Sequence, residues 1–356
     1  MKNLKEVLTQ KNIGCGYLYF YIHFIVEVVC FYFLSKVTNG FNFVWLIPFV
    51  YDGFAFVPQS IIGYISDLYP KIKLDYIGLV LLLISMILFS FTNVHTYVIL
   101  MTICLGNACL HVSGAELTLR NSKGSLSHSA IFVAGGSFGV ITGKLLASTN
   151  IYPWFLIFLL LSLIPFIMLS NMYESDCICK NFNYNNPKIK SGLIIIFAVL
   201  VVIVRGYIGY GIPTAWNKTV IQTILLYVTM GCGKALGGVL SDRFGIRKVA
   251  FLSTILSVPF LCFGSNMMIV SLIGIMLFSM TMSITLGLLV SMLKKRPGLA
   301  FGLTTIGLFL GTAPVFFIKI TNFVFNISLI VISSLVCCLL LMISLRRGDN
   351  DGRMDI

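Results

Sequence analysis

Long apolar runs alternate with short polar breaks along nearly the whole chain. Cutting at the breaks gives twelve runs, at 13–35, 41–64, 74–91, 95–118, 127–149, 151–171, 191–214, 219–240, 247–264, 268–291, 298–318 and 322–345. A helix rises about 1.5 Å per residue, so roughly 20 residues span a hydrocarbon layer of about 30 Å. The pattern predicts an all-α membrane protein with twelve transmembrane helices. The longest polar stretch, from Tyr173 to Lys190, divides these runs equally. It suggests a first six-helix bundle at 1–172, a linker at 173–190 and a second six-helix bundle at 191–356, as a parallel internal repeat requires.

Composition strengthens this picture. The chain has 356 residues, of which 58% are apolar and 10% charged, beyond what a soluble domain hides. The loops leave no room for a soluble catalytic domain, and no enzymatic activity is expected. The net charge is +13, but the basic residues follow topology. With a cytoplasmic N-terminus, Lys36, Lys218 and Lys319 lie outside, and Lys144, Arg205 and Lys234 fall within spans. The remaining 19 of the 25 Lys and Arg lie on the cytoplasmic side. This positive-inside asymmetry places both termini in the cytoplasm and predicts a multi-pass protein of the cell membrane. The basic surface then serves anionic lipid, not nucleic acid. Residues 13–35 read as a retained span, not a cleaved signal. The ten cysteines lie mostly within spans, where Cys packs as a small apolar residue. Cys177-Ile-Cys179 lacks the second ligand pair of a metal site, and no metal or cofactor is expected.

One short motif occurs twice. Gly63-Tyr-Ile-Ser-Asp67 matches Gly238-Val-Leu-Ser-Asp242, with Gly, Ser and Asp all displaced by the same interval. The loop Arg120-Asn-Ser-Lys-Gly124 likewise corresponds to Lys294-Lys-Arg-Pro-Gly298. Each leads into a glycine-rich span, with Gly135, Gly136, Gly139 and Gly143 in the fifth and Gly302, Gly307 and Gly311 in the eleventh. Such spacing lets helix backbones approach closely.

The second copy continues as Arg243-Phe-Gly245-Ile-Arg247-Lys248. It resembles the signature between spans eight and nine of the major facilitator superfamily. The first copy departs from that signature, with Leu68 in place of a basic residue and Pro70 in place of Gly. A narrower resemblance is to the fosmidomycin-resistance branch. It rests on His23-Phe-Ile-Val-Glu27, Gly106-Asn-Ala-Cys-Leu-His111 and Gly135-Gly-Ser-Phe-Gly139, with Val112 and Lys144 where prolines are expected. The resemblance implies that Asp67 faces the start of span eleven and Asp242 the start of span five. A carboxylate there accepts hydrogen bonds from free helix N–H groups and meets the positive end of the dipole. Gly63, Asp67, Gly238, Asp242, Arg243, Gly245 and Arg247 would then form a gate that closes the cytoplasmic side, with Arg243, Arg247 and Lys248 adding charge pairing.

Ionisable residues inside spans are costly and usually functional. Among the acids, Asp75 lies at the very start of a run, and only Glu27, Asp52 and Glu116 lie farther inside one. Glu27 and Arg205 each lie roughly 21 Å, and Asp52 roughly 18 Å, from the cytoplasmic ends of their spans. Glu27 and Arg205 are separated along the chain by close to the repeat offset, so a carboxylate and a guanidinium are expected to face each other across a central cavity. Burial disfavours a charged carboxylate and a nearby cation favours it, which suits substrate binding or proton coupling. His23, four residues before Glu27, shares its helix face. His111 and Lys144 complete the candidate binding or coupling set. Glu116, with Arg120 at i+4, reads as structural, and so does Lys234 near the cytoplasmic end of its span.

The expectation is a monomeric secondary active transporter of a small organic solute, working by alternating access with proton coupling. Efflux by antiport comes first. The alternatives are proton-coupled uptake of a nutrient or organic ion, or a non-transporting receptor or flippase on the same scaffold. No Gly-x-x-x-x-Gly-Lys-Ser/Thr loop is present, which argues against an ATP-driven pump.

Overall fold

A computed structural model of the chain describes residues 13–38, 45–90, 94–170, 178–318 and 320–346. The basic positions Lys2, Lys5, Lys11, Lys319, Arg347 and Arg353 lie outside the described residues, as do Cys177 and the linker residues 173–177. The apolar runs become helices: α1 (Ile13–Thr38), α2 (Leu46–Leu68), α3 (Leu74–Ser90), α4 (Thr96–Asn121), α5 (Leu126–Ala147) and α6 (Trp154–Ser170), then α7 (Ser191–Gly211), α8 (Val220–Phe244), α9 (Ile246–Asn266), α10 (Met268–Met292), α11 (Pro297–Phe316) and α12 (Phe323–Ser344). Among the described residues, ten of these are long and apolar enough to cross a membrane, while α3 and α6 are apolar but shorter. The protein is a multi-pass membrane protein.

Local chemistry explains the interruptions. Pro58 has no N–H to donate, so α2 is broken at Val57. In α10 the break falls at Met280, whose amide bonds back only three residues, to Leu277. The ends of α2 and α8 run to Leu68 and Phe244, past the expected 64 and 240. Both motif aspartates therefore lie inside helices. Gly245 stops α8 with a φ of 90°, a conformation disfavoured for residues with a side chain.

Helix packing repeats with a step of six. The pair α1–α5 corresponds to α7–α11, α1–α4 to α7–α10, α2–α4 to α8–α10, and α3–α4 to α9–α10. The most extensive contacts between the sets are α5 against α8 and α11 against α2, and α11 also meets α4 and α10 meets α5. Residues 178–190 are a packed strap, not a free linker. Cys179 N–H donates to the Lys294 carbonyl, Asn186 N–H to that of Ser344, and Arg346 N–H to that of Tyr184. The Tyr184 hydroxyl donates to Gly124, and Phe182 is fully buried.

Candidate functional site

Both crossing pairs are bridged at the end that carries the repeated motif. Gly and Asp in each copy are four residues apart and share a helix face. A side chain at Gly63 would collide with the Gly298 carbonyl, and one at Gly238 with that of Leu126. The glycines therefore let α2 and α8 lie directly on the first turns of α11 and α5. Asp67 then accepts from the N–H groups of Gly298 at 3.1 Å and Leu299 at 2.8 Å. Asp242 accepts from the N–H groups of Leu126 and Ser127, both at 2.8 Å, from the Ser125 hydroxyl at 2.6 Å and from the Ser127 hydroxyl. This is the pairing of helices that the motif implied.

The basic part of the motif behaves differently. Arg243 is exposed, with its guanidinium 5.3 Å from the Phe244 ring centre, and Arg247 donates to the Leu345 carbonyl. Neither forms an ion pair among the described residues, so the expected charge pairing is not made there. It is made in the first half instead. Arg120 contacts Asp67 at 3.4 Å and Glu116 at 2.6 Å, and Glu116 accepts from Ser66 at 2.5 Å. Glu116 thus belongs to the Asp67 network, across helices as well as along its own.

At the opposite end the same two pairs meet through rings and one ammonium. Trp45 and Phe49 of the α2 side pack on Phe309, Phe316 and Phe317 of the α11 side, with ring centres 5.1–5.8 Å apart. Exposed Lys144 of α5 donates to the Tyr227 hydroxyl of α8 at 2.8 Å, close to the Tyr227 and Phe31 rings. Between the two ends, Lys234 donates to Ser137 at 2.8 Å. Lys234 lies ten residues inside α8, roughly 15 Å from the Phe244 end, and not near that end as expected.

Glu27 does not face Arg205. The helix α1 lies on the glycine face of α5, where a Cβ at Gly139 would come within 2.6 Å of Glu27 Cβ. This packing turns the carboxylate toward α4. Glu27 Oε1 is 3.0 Å from His111 Nε2 and 3.8 Å from His23 Nε2, and the two nitrogens are 2.7 Å apart. All three residues are buried, at 6–8% exposure. His23 Nδ1 is held by the Phe132 carbonyl at 2.8 Å and His111 Nδ1 by the Asn107 carbonyl at 2.9 Å. The Asn107 amide donates to the Tyr51 hydroxyl at 3.0 Å. Sequence reasoning passed over Asn107 and Tyr51, although Asn107 sits one turn before His111. Asp52 is also buried, within electrostatic reach of Glu27, and has no hydrogen bond or ion pair among the described residues.

Arg205 occupies the other set. Beside the break at Met280 the Phe278 carbonyl accepts from the Thr281 hydroxyl at 3.1 Å and from Arg205 Nη2 at 2.8 Å, and the guanidinium lies over the Phe278 ring. Its Nε is buried without a partner. Arg205 lines a cavity of about 60 Å³ with Val133, Val202, Gly206, Met282, Thr285, Leu286, Phe301, Thr304 and Leu308.

No protein-family model and no curated protein sequence matches the chain. Several solved structures do match. A structure of the E. coli fucose:proton symporter is similar with a TM-score of 0.66 at 15% identity, covering 93% of this chain and 98% of that one. A second structure of that symporter, in the outward conformation, gives 0.58 at 14% identity, covering 90% and 98%. The human organic anion transporter TETRAN gives 0.60 at 10% identity, covering 94% and 99%. At such identities the similarity shows the fold, and the chain has the fold of these major facilitator transporters.

Proposed function

Starting from this fold, we propose that the protein is a secondary active transporter that moves a small organic solute by alternating access. In this reading all twelve helices cross the membrane as two six-helix bundles, 1–172 and 191–356, and the Asp67 and Asp242 end faces the cytoplasm. The observation that carries the reading is the crossed pair of carboxylate caps. Asp67 of one half seats on α11 of the other, and Asp242 returns the contact on α5. Breaking both opens one end of each crossing pair while the aromatic contacts hold the other. Breaking the aromatic contacts does the reverse.

Arg205 sets the solute class. A guanidinium within a span is expensive without a counter-charge, and Arg205 has only a carbonyl and a ring among the described residues. A solute with a carboxylate or similar anionic group supplies that charge. One neighbour of this fold is an organic anion transporter. Glu27 with His23 and His111 is the coupling group, since a carboxylate between two imidazoles gains and loses a proton as exposure alternates. Uptake with a proton fits best. The antiport expected from the narrower resemblance draws no support from the neighbours, one of which is a fucose:proton symporter.

Proteoliposomes given a panel of small carboxylates, with and without an inward proton gradient, test this. Gradient-stimulated uptake of at least one is expected. A thermal-shift panel on purified protein should show a stabilising ligand whose effect disappears in Arg205→Ala. Stabilisation that persists in Arg205→Ala rejects Arg205 as the solute's partner.

A further inference from the structure

The tautomers of His23 and His111 carry a consequence beyond transport. A carbonyl oxygen only accepts, so His23 Nδ1 and His111 Nδ1 are the protonated nitrogens of their rings. In the neutral rings both Nε2 atoms then carry lone pairs, 2.7 Å apart and aimed at Glu27 Oε1. Three acceptors converge with no donor among them. The second oxygen, Glu27 Oε2, is buried without a partner.

We propose that His23, Glu27 and His111 form a binding site for one divalent transition-metal ion. A four-coordinate ion with bonds of about 2.0–2.1 Å separates its ligands by about 3.3 Å. The three observed separations, 2.7, 3.0 and 3.8 Å, bracket that value. The ligand atoms all lie within 4.8 Å of one another. Two imidazoles and a carboxylate select zinc and its neighbours over magnesium or calcium. Each ligand histidine already has the outer partner that metal-bound histidines use, a backbone carbonyl on Nδ1. Gly136 keeps the space beside the site open, because a Cβ there would lie 2.6 Å from His23 Nε2. Three protein ligands leave a fourth position for Glu27 Oε2 or an outside ligand. The metal would occupy the same three side chains assigned above to proton coupling, and its binding is read without a transport assay.

The test is equilibrium binding of Zn²⁺ to purified, tag-free full-length protein, with X-ray absorption at the zinc edge. One tightly bound ion per chain is expected, with two imidazoles and oxygen in its first shell. His111→Gln and Glu27→Gln, checked for unchanged melting in metal-free buffer, should each weaken binding by about 100-fold or more, at or beyond the upper limit for losing an outer partner. His95→Gln, outside the cluster, should bind as the parent does. A sulfur-containing first shell on the parent protein, which requires no variant, overturns the proposal. So does binding equal in parent and His111→Gln, which marks an adventitious ion only. Failure to bind Zn²⁺ also overturns it and leaves a single shared proton as the group that reconciles the three acceptors.

Discussion

The two crossing pairs, α2–α11 and α5–α8, are tied at both ends by different physics. At the motif end, two carboxylates cap helix N-termini through hydrogen bonds of 2.6–3.1 Å. At the other end, rings pack at 5.1–5.8 Å and one exposed lysine meets a tyrosine. Hydrogen bonds to a charged group contribute roughly 1.5–3 kcal/mol each, while an aromatic pair adds roughly 0.5–1.5 kcal/mol beyond its buried area. The caps are directional and break over a short displacement. Ring contacts slide and reform. Under the proposed alternating-access reading, this arrangement makes a two-state gate on one side and a graded seal on the other.

The motif end also differs between its own two copies. The first turn of α11 has no side-chain cap of its own: Arg296 precedes Pro297, and Asp67 alone covers the free N–H groups of Gly298 and Leu299. The first turn of α5 has Ser125 as its own N-cap, and Asp242 adds to it. Asp67 also answers the buried charge of Arg120. Asp67→Asn is therefore the larger perturbation. It should weaken closure of the motif end by about 2–3 kcal/mol, or about 30- to 150-fold in the ratio of closed to open. Reporter cysteines at each end, labelled with a membrane-impermeant maleimide, read the ratio. Unchanged labelling at both ends contradicts the gate.

Asp242→Asn comes next. Ser125 continues to cap α5, so about 1–2 kcal/mol is expected, or about 5- to 30-fold. Transport should fall without loss of expression. If Asp242→Asn opens the end more than Asp67→Asn does, the asymmetry between the copies is wrong even if the gate is right.

Much of this comparison is legible in the sequence. The repeated Gly-x-x-Ser-Asp, read with the resemblance it carries, places Asp67 at Gly298 and Asp242 near Ser127, because a short motif at a helix end has few neighbours to choose from. The core polar residues are legible as a set but not as partners. Glu27 and Arg205 stand out as buried charges, and the repeat offset suggests that they face each other. Rotation about α1 decides that matter, and it depends on how closely Gly136 and Gly139 of α5 admit His23 and Glu27. A one-dimensional spacing along the chain carries no such information. Arg205 reaches the Phe278 carbonyl because α10 breaks at Met280, and no Pro or Gly in Phe278-Ser-Met-Thr281 announces it. The ring seal is equally invisible, since Trp45 and Phe49 read as ordinary apolar positions in a span.

The ring seal gives a third, smaller prediction of opposite sign. Phe49 meets Phe309, Phe316 and Phe317. Phe49→Leu keeps apolar volume and removes the ring geometry, so about 1 kcal/mol is expected, a shift of about fivefold toward opening at that end. The same reporter cysteines should show increased labelling there and decreased labelling at the motif end.

Lys144→Met tests the weakest tie. The ammonium donates to Tyr227 and lies over two rings, but Lys144 is exposed, and exposed contacts of this kind contribute at most about 1 kcal/mol. Methionine keeps the chain length against Phe31 and Tyr227 and removes the charge. A shift of about twofold toward opening at the ring end is expected. It should shrink as salt rises, because an exposed charge is screened over about 10 Å at 0.1 M salt. The effect of Phe49→Leu should be the same at low and high salt. Running both variants across a salt series therefore separates the two kinds of contact at one end. A salt-independent effect of Lys144→Met would mean that its side chain acts by packing. In that case the ring end is apolar throughout, and its contrast with the charged motif end widens.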